Sequence, residues 1–423
     1  MRVAIVGLGA SGLMAASIAS KNHDVYVYEK NEKAGKKLFI TGKGRCNMTN
    51  ACDIFDFKKN IVTNSKFLSH SLSVFNNIDL IDFFEKNGLK TKIERGNRVY
   101  PYDDKAYRVT DCFMNIINKN KVKINYKHEV CDIVTKDNVA IAIKVKDIKN
   151  NEIKEIQFDK IIICTGGMSY QLTGSTGDGY KFAKKLDINT TNIYPALVPL
   201  KIKESDEIKS IEGLLLKNVS IKITNNENKI LYKDFGDMLF RDGYLDGPII
   251  ISASSFIVDK INQKLTIHID LKPALDVEKL NQRLIRDIKD KNKESLRTEL
   301  ESLLPISLID SFIIRLNNML KHNESEIEYL SNKSISNMTK EERNTIVSLL
   351  KDYKYEIVGT KSIDSAIVTK GGIDIKEINQ KNMESKKIKN LYFVGEVLDL
   401  DALTGGFNLS IAFITGYIAS MSI

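Results

Sequence analysis

A glycine-rich string near the start of the chain, Gly7-Leu-Gly-Ala-Ser-Gly12, has the spacing G-x-G-x-x-G. It follows an apolar run that predicts a buried parallel strand, and it opens a segment with helical spacing of apolar residues. In that context Gly7 permits a tight turn, Gly9 lets the backbone approach a pyrophosphate, and Gly12 allows close packing of helix on strand. The string therefore predicts a dinucleotide on the helix N-terminus.

An acidic residue, Glu29, ends the second predicted strand, Asp24–Tyr28. A carboxylate at this position can accept hydrogen bonds from the two hydroxyls of a ribose, and it would repel a 2′-phosphate. The residue type thus disfavours NADP at this site.

The far end of the chain decides between NAD and FAD. Gly395–Asn408 joins a strand to the last helix and contains acids and a double glycine. Glu396 or Asp401 could accept ribityl hydroxyls, and Gly405 and Gly406 would let the first N–H groups of the helix point at a flavin. The positive end of that helix would stabilise negative charge on the reduced ring. These features predict FAD.

Two further glycine-rich elements accompany these motifs. Cys164-Thr-Gly-Gly167 closes a predicted strand and precedes Gly174–Gly179, and a side-chain-free segment can pass close to a cofactor. Gly35–Asn47 holds three glycines and four basic residues, and we expect it to lie over the flavin. Lys36 or Lys37 would stand near phosphate and Arg45 near the ring, although a flexible basic loop is the alternative.

The substrate is expected on the flavin face, between Arg45–Asn47, the turn Met168–Tyr170 and the inserted β-rich segment near Arg241. Tyr170 and Arg45 could hydrogen-bond a carbonyl or carboxylate, and Tyr170 could donate a proton. The alternative for both residues is structural, with Tyr170 as packing and Arg45 as an anchor for phosphate or backbone.

Length and composition fit a globular protein of two or three domains, with 423 residues, 43% hydrophobic residues and 28% charged residues. The net charge of +9 is modest, and its densest stretch directly follows the glycine motif. Five scattered cysteines without a C-x-x-C argue against a disulfide framework, a metal cluster or a redox dithiol. No apolar run approaches ~20 residues, and a strand starting at Arg2 leaves no room for a signal peptide. We expect a cytoplasmic protein without membrane or metal.

The order of patterns predicts an α/β fold with a discontinuous Rossmann-type FAD-binding domain, interrupted by a β-barrel-like domain and a helical domain. Period-two alternation dominates from about Ala196 to Leu271, and helical spacing from about Asp276 to Asp352. The predicted boundaries are 1–194 and 371–423 for the FAD-binding domain, 195–274 with 355–370 for the β-rich insert, and 275–354 for the helical insert.

The ordered motifs resemble a known family. They are the opening glycine string with Glu29, Gly35–Asn50 with its Thr-Gly-Lys-Gly-Arg-Cys-Asn string, Arg98–Pro101, Thr165–Ser169 with Gly174–Gly179, Pro195–Pro199, Val368–Gly372, and Gly395–Asp399 with Thr404–Asn408. The chain is similar to the bacterial BaiN-type, aminoacetone-oxidase-like NAD(P)/FAD-dependent oxidoreductases. The resemblance implies the same three-part fold and FAD contacts at Ser11, Glu29, Lys30, Lys36, Lys37, Asn47, Val130, Glu396, Asp401, Asn408 and Leu409.

Residue types and resemblance together give one predicted cofactor site: Gly7, Gly9, Ala10, Ser11, Gly12, Glu29, Lys30, Lys36, Lys37, Gly42, Gly44, Arg45, Cys46, Asn47, Val130, Thr165, Gly166, Gly167, Asp178, Gly395, Glu396, Asp401, Gly405, Gly406, Phe407, Asn408 and Leu409. One segment departs from the family. The family usually has Leu-Phe-Thr-His and Ser-Gly-Pro, and here the Thr-His pair is replaced by Arg241-Asp242 and the Ser by Asp246. If this segment faces the substrate, family substrates do not transfer directly.

The leading functional hypothesis is an FAD-dependent oxidoreductase that moves hydride between the flavin and a small or medium organic substrate. The sequence holds no second G-x-G-x-x-G. NAD(P)H would therefore dock transiently as donor, or the enzyme would be an oxidase of the amine or aminoketone type that uses O2. A flavin-dependent RNA-modifying enzyme and a non-catalytic FAD-binding protein are weaker alternatives, and nucleic acid is a disfavoured partner. The oligomeric state is not predicted.

Overall fold

The computed structural model describes residues 1–290 and 294–423, which form two compact units. The first unit consists of Met1–Leu197 and Ser362–Ile423, and the second is Val198–Lys361. Each unit has its own apolar core.

The strands and helices follow the chain in this order. The strands are β1 (Arg2–Val6), β2 (Asp24–Glu29), β3 (Thr49–Asn50), β4 (Thr91–Glu94), β5 (Arg98–Pro101), β6 (Lys123–Tyr126), β7 (His128–Lys136), β8 (Val139–Asp147), β9 (Ile153–Gln157), β10 (Lys160–Ile163), β11 (Tyr194–Ala196), β12 (Leu200–Ile202), β13 (Leu215–Thr224), β14 (Ile230–Arg241), β15 (Tyr244–Asp246), β16 (Leu265–Asp270), β17 (Tyr353–Thr360), β18 (Val368–Lys370) and β19 (Leu391–Phe393). The helices are α1 (Ala10–Ala19), α2 (Lys36–Ile40), α3 (Ile54–Lys59), α4 (Ser69–Val74), α5 (Asn77–Lys86), α6 (Tyr107–Lys119), α7 (Asp178–Lys185), α8 (Ser205–Ser210), α9 (Pro248–Ile257), α10 (Val277–Asp290), α11 (Leu296–Glu301), α12 (Ile306–Met319), α13 (Ile327–Asn332), α14 (Lys340–Lys351) and α15 (Phe407–Met421).

The first unit is built on a five-stranded parallel sheet in the order β19-β10-β1-β2-β6. The run Lys160-Ile-Ile-Ile163 is apolar without alternation because strands of such sheets are covered on both faces. Helix α1 is apolar on all sides and lies buried against α15. The carboxyl ends of parallel strands meet at one edge, so the turn after β1, the turn after β10 and Glu29 lie together.

Two small antiparallel sheets complete this unit, with strand orders β7-β8-β9 and β3-β5-β4. In the latter, Asn50 lies opposite Arg98, and Arg98 lies opposite Glu94. This sheet joins the segment that ends in β3 to the hairpin formed by β4 and β5.

The second unit contains a closed antiparallel barrel in the order β12-β15-β14-β13-β16-β17, together with helices α8 to α14. Barrel and helices share one apolar core, which includes Ile221 from β13 and Leu284 from α10. A capping box starts α14, since the Thr339 hydroxyl accepts from the Glu342 N–H and the Glu342 carboxylate accepts from the Thr339 N–H.

These observations confirm the predicted fold class, a Rossmann-type sheet with an inserted barrel and a helical region. The four domain boundaries stay a prediction. Two details of the second unit were not predicted: the β-rich segment contains helix α9, and Val277 at the start of α10 is 58% exposed. The departure from the family at Arg241, Asp242 and Asp246 falls on the β14–β15 hairpin.

Candidate cofactor and active site

The glycine turn after β1 is shaped by contacts that exclude side chains. Gly7 has a φ of 95°, and a Cβ there would lie 2.7 Å from the Cys164 carbonyl oxygen. A Cβ on Gly12 would lie 2.0 Å from the Gly7 carbonyl oxygen. Both positions therefore require glycine so that α1 can start directly against β1 and β10.

Gly9 needs glycine for a different reason. Its φ of −81° is ordinary, and apart from its neighbours in the chain no described residue has an atom within 4 Å of the place where a Cβ would stand. It is the N-cap of α1, without a side-chain cap, and it lines a cavity. Neither conformation nor packing against protein demands glycine here, so the free space suits a ligand such as a pyrophosphate at the helix N-terminus.

The cavity has a volume of about 520 Å³, within the ~300–1,000 Å³ typical of small-molecule and cofactor sites. Most of the predicted cofactor residues line it: Gly7, Gly9, Ala10, Ser11, Glu29, Lys30, Lys36, Lys37, Gly42, Asn47, Val130, Thr165, Gly166, Asp178, Glu396, Gly405, Gly406, Asn408 and Leu409. The remaining predicted residues are not among those that line it: Gly12, Gly44, Arg45, Cys46, Gly167, Tyr170, Gly395, Asp401 and Phe407.

Glu29 is buried at the end of β2, where its two oxygens have separate partners. Oε2 accepts from the Leu8 N–H at 2.7 Å, and Oε1 accepts from the backbone and side-chain N–H groups of Asn31, each at 2.8 Å. A carboxylate offers about four acceptor sites, so capacity remains for ribose hydroxyls. The same bonds fix the turn after β1 and the start of the following loop.

Two polar atoms in the cavity wall have no hydrogen-bond partner among the described residues. They are Oδ1 of Asn47 and Oγ1 of Thr165, and both are buried. A buried polar atom without a partner costs free energy, so native sites of this kind usually receive a bond from a ligand or water. Together with the space at Gly9, these atoms fit the many polar groups of FAD.

Lys37 and Glu396 form a partly buried ion pair at 2.7 Å in the cavity wall. Glu396 also accepts from the Ser169 hydroxyl and the Thr369 N–H. Burial alone would raise the pKa of the Glu396 carboxyl, but the charge and hydrogen bond of Lys37, with the other donors, lower it below the ordinary value. The carboxylate is thus held ionised as an acceptor facing the cavity.

A second ion pair, Lys30 with Asp178 at 2.6 Å, lies near the start of α7. Burial opposes ionisation of Asp178, but hydrogen bonds from Lys181 and Lys30 lower its pKa below the ordinary value. Val130, an expected FAD contact, lines the cavity, as does His128.

The predicted catalytic residues lie outside the cavity lining. Arg45 pairs with Glu94 at 2.5 Å and Asp104 at 2.6 Å, and its guanidinium lies 4.1 Å from the ring centroid of Tyr100. Tyr170 has a left-handed backbone, with the Lys37 ammonium 5.9 Å from its ring centroid.

Cys46 is fully buried, and burial raises the pKa of its thiol to about 12. A thiol that stays protonated is a poor nucleophile, so its contribution to the loop is packing.

The start of α15 closes the other end of the cavity. A Cβ on Gly406 would lie 2.4 Å from the Thr49 carbonyl oxygen, so the helix can begin this close to β3 only with glycine. The Asn408 amide is engaged with Ala402 and Leu403, which fixes the preceding loop. Asp401, in the same loop, is fully buried.

Sequence reasoning assigned no role to two residues that line the cavity, Arg98 and Tyr100 on β5. Both belong to the Arg98–Pro101 motif, and their alternation with buried Val99 places them on one face of the strand. That alternation was the available signal.

The described part of the chain lacks two further features. No helix there combines the length and apolar character needed to cross a bilayer. No three His, Cys, Asp or Glu side chains there come together as a metal-binding group.

Comparison with known proteins places this architecture. A ribosomal RNA dihydrouridine synthase from Haemophilus influenzae is 28% identical over 422 residues, covering 99% of this chain and 97% of that protein. A 3-dehydro-bile acid delta(4,6)-reductase from Clostridium scindens is 26% identical over 426 residues, covering 99% and 98%. The structure of 3-ketosteroid delta1-dehydrogenase from Sterolibacterium denitrificans has a TM-score of 0.53 at 12% identity, covering 99% of this chain and 98% of that one, which shows similarity of fold alone.

The model of the HI0933-like protein Rossmann domain matches residues 1–422. The predicted cofactor and enzyme class are confirmed: the cofactor is FAD, and the protein is an FAD-dependent oxidoreductase. Its chain belongs to the HI0933-like family of Rossmann-domain proteins.

Proposed function

We propose that this enzyme uses NAD(P)H to reduce a carbon–carbon double bond conjugated to a carbonyl group in a small or medium organic substrate. The observation that carries the proposal is one cavity lined both by the residues that fit FAD and by the polar pair Arg98 and Tyr100. The names of the two relatives support it, because each describes the reduction of a carbon–carbon double bond.

When bound, FAD would supply the two-electron redox chemistry that links a pyridine nucleotide to the substrate. The chain would hold the pyrophosphate at Gly9 and the N-terminus of α1, and the ribose at Glu29. Asn47, Thr165 and Glu396 would supply hydrogen-bonding groups along the rest of the cofactor. These residues would bind and orient, and the protein wall would keep water from the reacting atoms.

The proposal also names an electron donor, NAD(P)H. A single G-x-G-x-x-G supports transient docking of NAD(P)H at the cavity mouth, since no second nucleotide motif occurs in the sequence. The single motif is equally consistent with an oxidase that uses O2.

Anaerobic mixing tests the proposal. Reduction of the bound flavin by NADH or NADPH, followed by rapid reoxidation with cyclohex-2-enone, would support it. Slow reduction by both nucleotides, with rapid reoxidation by air after chemical reduction, would favour the oxidase. Failure of every conjugated carbonyl compound to reoxidise the flavin would contradict the reductase.

A second candidate is reduction of a uridine base in RNA, favoured by the name of the Haemophilus influenzae relative and by the net charge of +9. Incubation of unmodified ribosomal RNA with the enzyme and NAD(P)H, followed by nucleoside mass spectrometry, tests it. Formation of dihydrouridine that falls steeply with added salt would support RNA as substrate.

A further inference from the structure

We propose that Arg98 and Tyr100 are the residues that bind and protonate the substrate, and that Arg45 is a positioning residue that keeps Arg98 available. This inference rests on the proposed function and names the groups that would carry it out. The assignment replaces the pair Arg45 and Tyr170 that the sequence suggested.

The neighbours of Arg98 on β3 indicate where it lies in the cavity. Arg98 lies opposite Asn50 in the β3–β5 ladder, and the Asn50 side-chain amide donates to the Gly405 carbonyl at 3.1 Å. Gly405 directly precedes the glycine at which α15 begins. Arg98 is thereby placed at the end of the cavity away from Glu29, where the reacting part of the cofactor is expected.

The charge of Arg98 is the second relevant feature. Arg98 is exposed toward solvent, and no ion pair or side-chain hydrogen bond engages it among the described residues. Its cross-strand neighbour Glu94 would be the natural partner, because opposed residues of a ladder bring their Cβ atoms within ~5.5 Å. Glu94 instead pairs with Arg45 at 2.5 Å and with Lys92 at 3.4 Å.

Arg45 and Lys92 together neutralise Glu94 and Asp104, since both cations contact both carboxylates. The two positive and two negative charges cancel and leave the positive charge of Arg98 unbalanced. An unpaired guanidinium in a cavity wall is suited to a carbonyl or carboxylate oxygen of a substrate.

Tyr100 is placed to supply a proton to the substrate. Tyr100 lies two residues from Arg98 on the same strand face, is 8% exposed and lines the same cavity. Its ring is held by the Arg45 guanidinium, 4.1 Å from the centroid. The phenol of Tyr100 is therefore held in place by Arg45 and can act as a general acid.

Hydride reaches the β-carbon of a C=C–C=O unit, the carbon–carbon π bond breaks, and an electron pair moves onto the carbonyl oxygen facing Arg98. A proton from the Tyr100 hydroxyl then bonds to the α-carbon, and water returns a proton to the phenolate. The substrate gains two hydrogens, and NAD(P)H supplies the two electrons.

The test compares Arg98→Met and Tyr100→Phe with the matched controls Arg108→Met and Tyr102→Phe, which change residues outside the cavity lining. Oxidised holoenzyme is titrated with benzaldehyde, a carbonyl probe, by its effect on flavin absorbance. Reduced holoenzyme is then mixed anaerobically with cyclohex-2-enone. We expect Arg98→Met to weaken benzaldehyde binding at least tenfold, and reoxidation to slow roughly 10²- to 10³-fold in Arg98→Met and roughly 10²-fold in Tyr100→Phe. FAD content and reduction by NAD(P)H should not change.

Arg45→Met should slow reoxidation about tenfold because it frees Glu94 to pair with Arg98. Adding Glu94→Gln should restore the rate, whereas a loss of packing would not be rescued. Absence of enone reduction in the wild type would refute the proposed function, while the benzaldehyde affinities would still decide the role of Arg98. Wild-type protein that fails to bind benzaldehyde, or an Arg98→Met variant within twofold of wild type, overturns the inference.

Discussion

The two ends of the cavity differ in how their charges are used. From the glycine motif to Glu396, the cavity wall holds paired charges, Lys30 with Asp178 and Lys37 with Glu396, and backbone contacts at Gly7 and Gly12 set the shape of the motif. At the β5 end, Arg98 has no such pairing within the described residues. In a region that holds one cofactor, the charged side chains are already paired and the backbone packs closely. A region that acts on a substrate keeps one charged side chain available.

The largest expected effect comes from filling the space in front of Gly9. Gly9→Val should abolish measurable FAD binding while the protein still folds, because the backbone at this position is ordinary and a Cβ there meets no described residue other than its neighbours in the chain. FAD content after reconstitution and the apoprotein melting temperature are the two measurements. Gly359→Val is the control, since that glycine lies outside the cavity and a Cβ there has its nearest contact at 3.8 Å. A Gly9→Val protein that retains stoichiometric FAD would place the pyrophosphate elsewhere.

A smaller effect is expected for Glu29→Ala. Loss of two charge-assisted ribose bonds should weaken FAD binding roughly ten- to several hundred-fold. The apoprotein should also lose some stability, because the Leu8 and Asn31 N–H groups lose their acceptor. Asp24→Ala, at the exposed start of the same strand, should leave FAD affinity unchanged. Equal affinities of the two variants, measured by fluorescence titration, would contradict the assignment.

The pH dependence of stability in Lys37→Met tests the part of the cavity whose charges are paired. Because Lys37 lowers the pKa of Glu396 in the folded state, the pair stabilises the fold above the unfolded pKa of the carboxyl, and this contribution is lost as pH falls through the folded pKa. The variant should lose about 1–3 kcal/mol of apoprotein stability near neutral pH and less in acid.

Urea unfolding at several pH values measures the effect of Lys37→Met. Lys36→Met is the matched control, since Lys36 pairs with Glu32, whose side chain is 55% exposed, and should cost about 0–1 kcal/mol. A loss in Lys37→Met that does not depend on pH would show that packing, not the ion pair, is responsible.

The smallest effect is expected at Thr165. Its hydroxyl oxygen has no bonding partner among the described residues, so Thr165→Val should leave the apoprotein as stable as wild type or more so. FAD affinity should fall about two- to tenfold if the cofactor supplies the missing partner. Ser71→Ala removes a similarly buried hydroxyl away from the cavity and should not alter FAD affinity. Reduced apoprotein stability with unchanged affinity would instead assign the hydroxyl to the protein itself.

The cofactor end was predictable from sequence because its signals are local. The glycine spacing, the strand before it and Glu29 after the next strand all lie within one short segment. The inserted barrel and the helical region followed from the change in apolar period. Helix α9 was not predicted, because the apolar run after Pro248 fits a buried strand as well as a buried helix.

The roles of the arginines could not be read from sequence because they depend on pairing across distant segments. Arg45 meets Glu94 and Asp104 only once the loop before β3 lies against β4 and β5. Arg98 stays available only because that pairing has formed. Charge in a sequence shows which groups exist, whereas the fold determines which of them are already neutralised.

The oxidative half-reaction tests the central claim most directly. Enzyme carrying one FAD per chain is reduced without oxygen by one equivalent of NAD(P)H and mixed with cyclohex-2-enone, and flavin absorbance and cyclohexanone are measured together. The account predicts full recovery of oxidised flavin with one cyclohexanone formed per FAD, and much slower recovery in the Arg98→Met variant. A flavin that stays reduced with every conjugated carbonyl compound, yet is reoxidised at once by air, would contradict it.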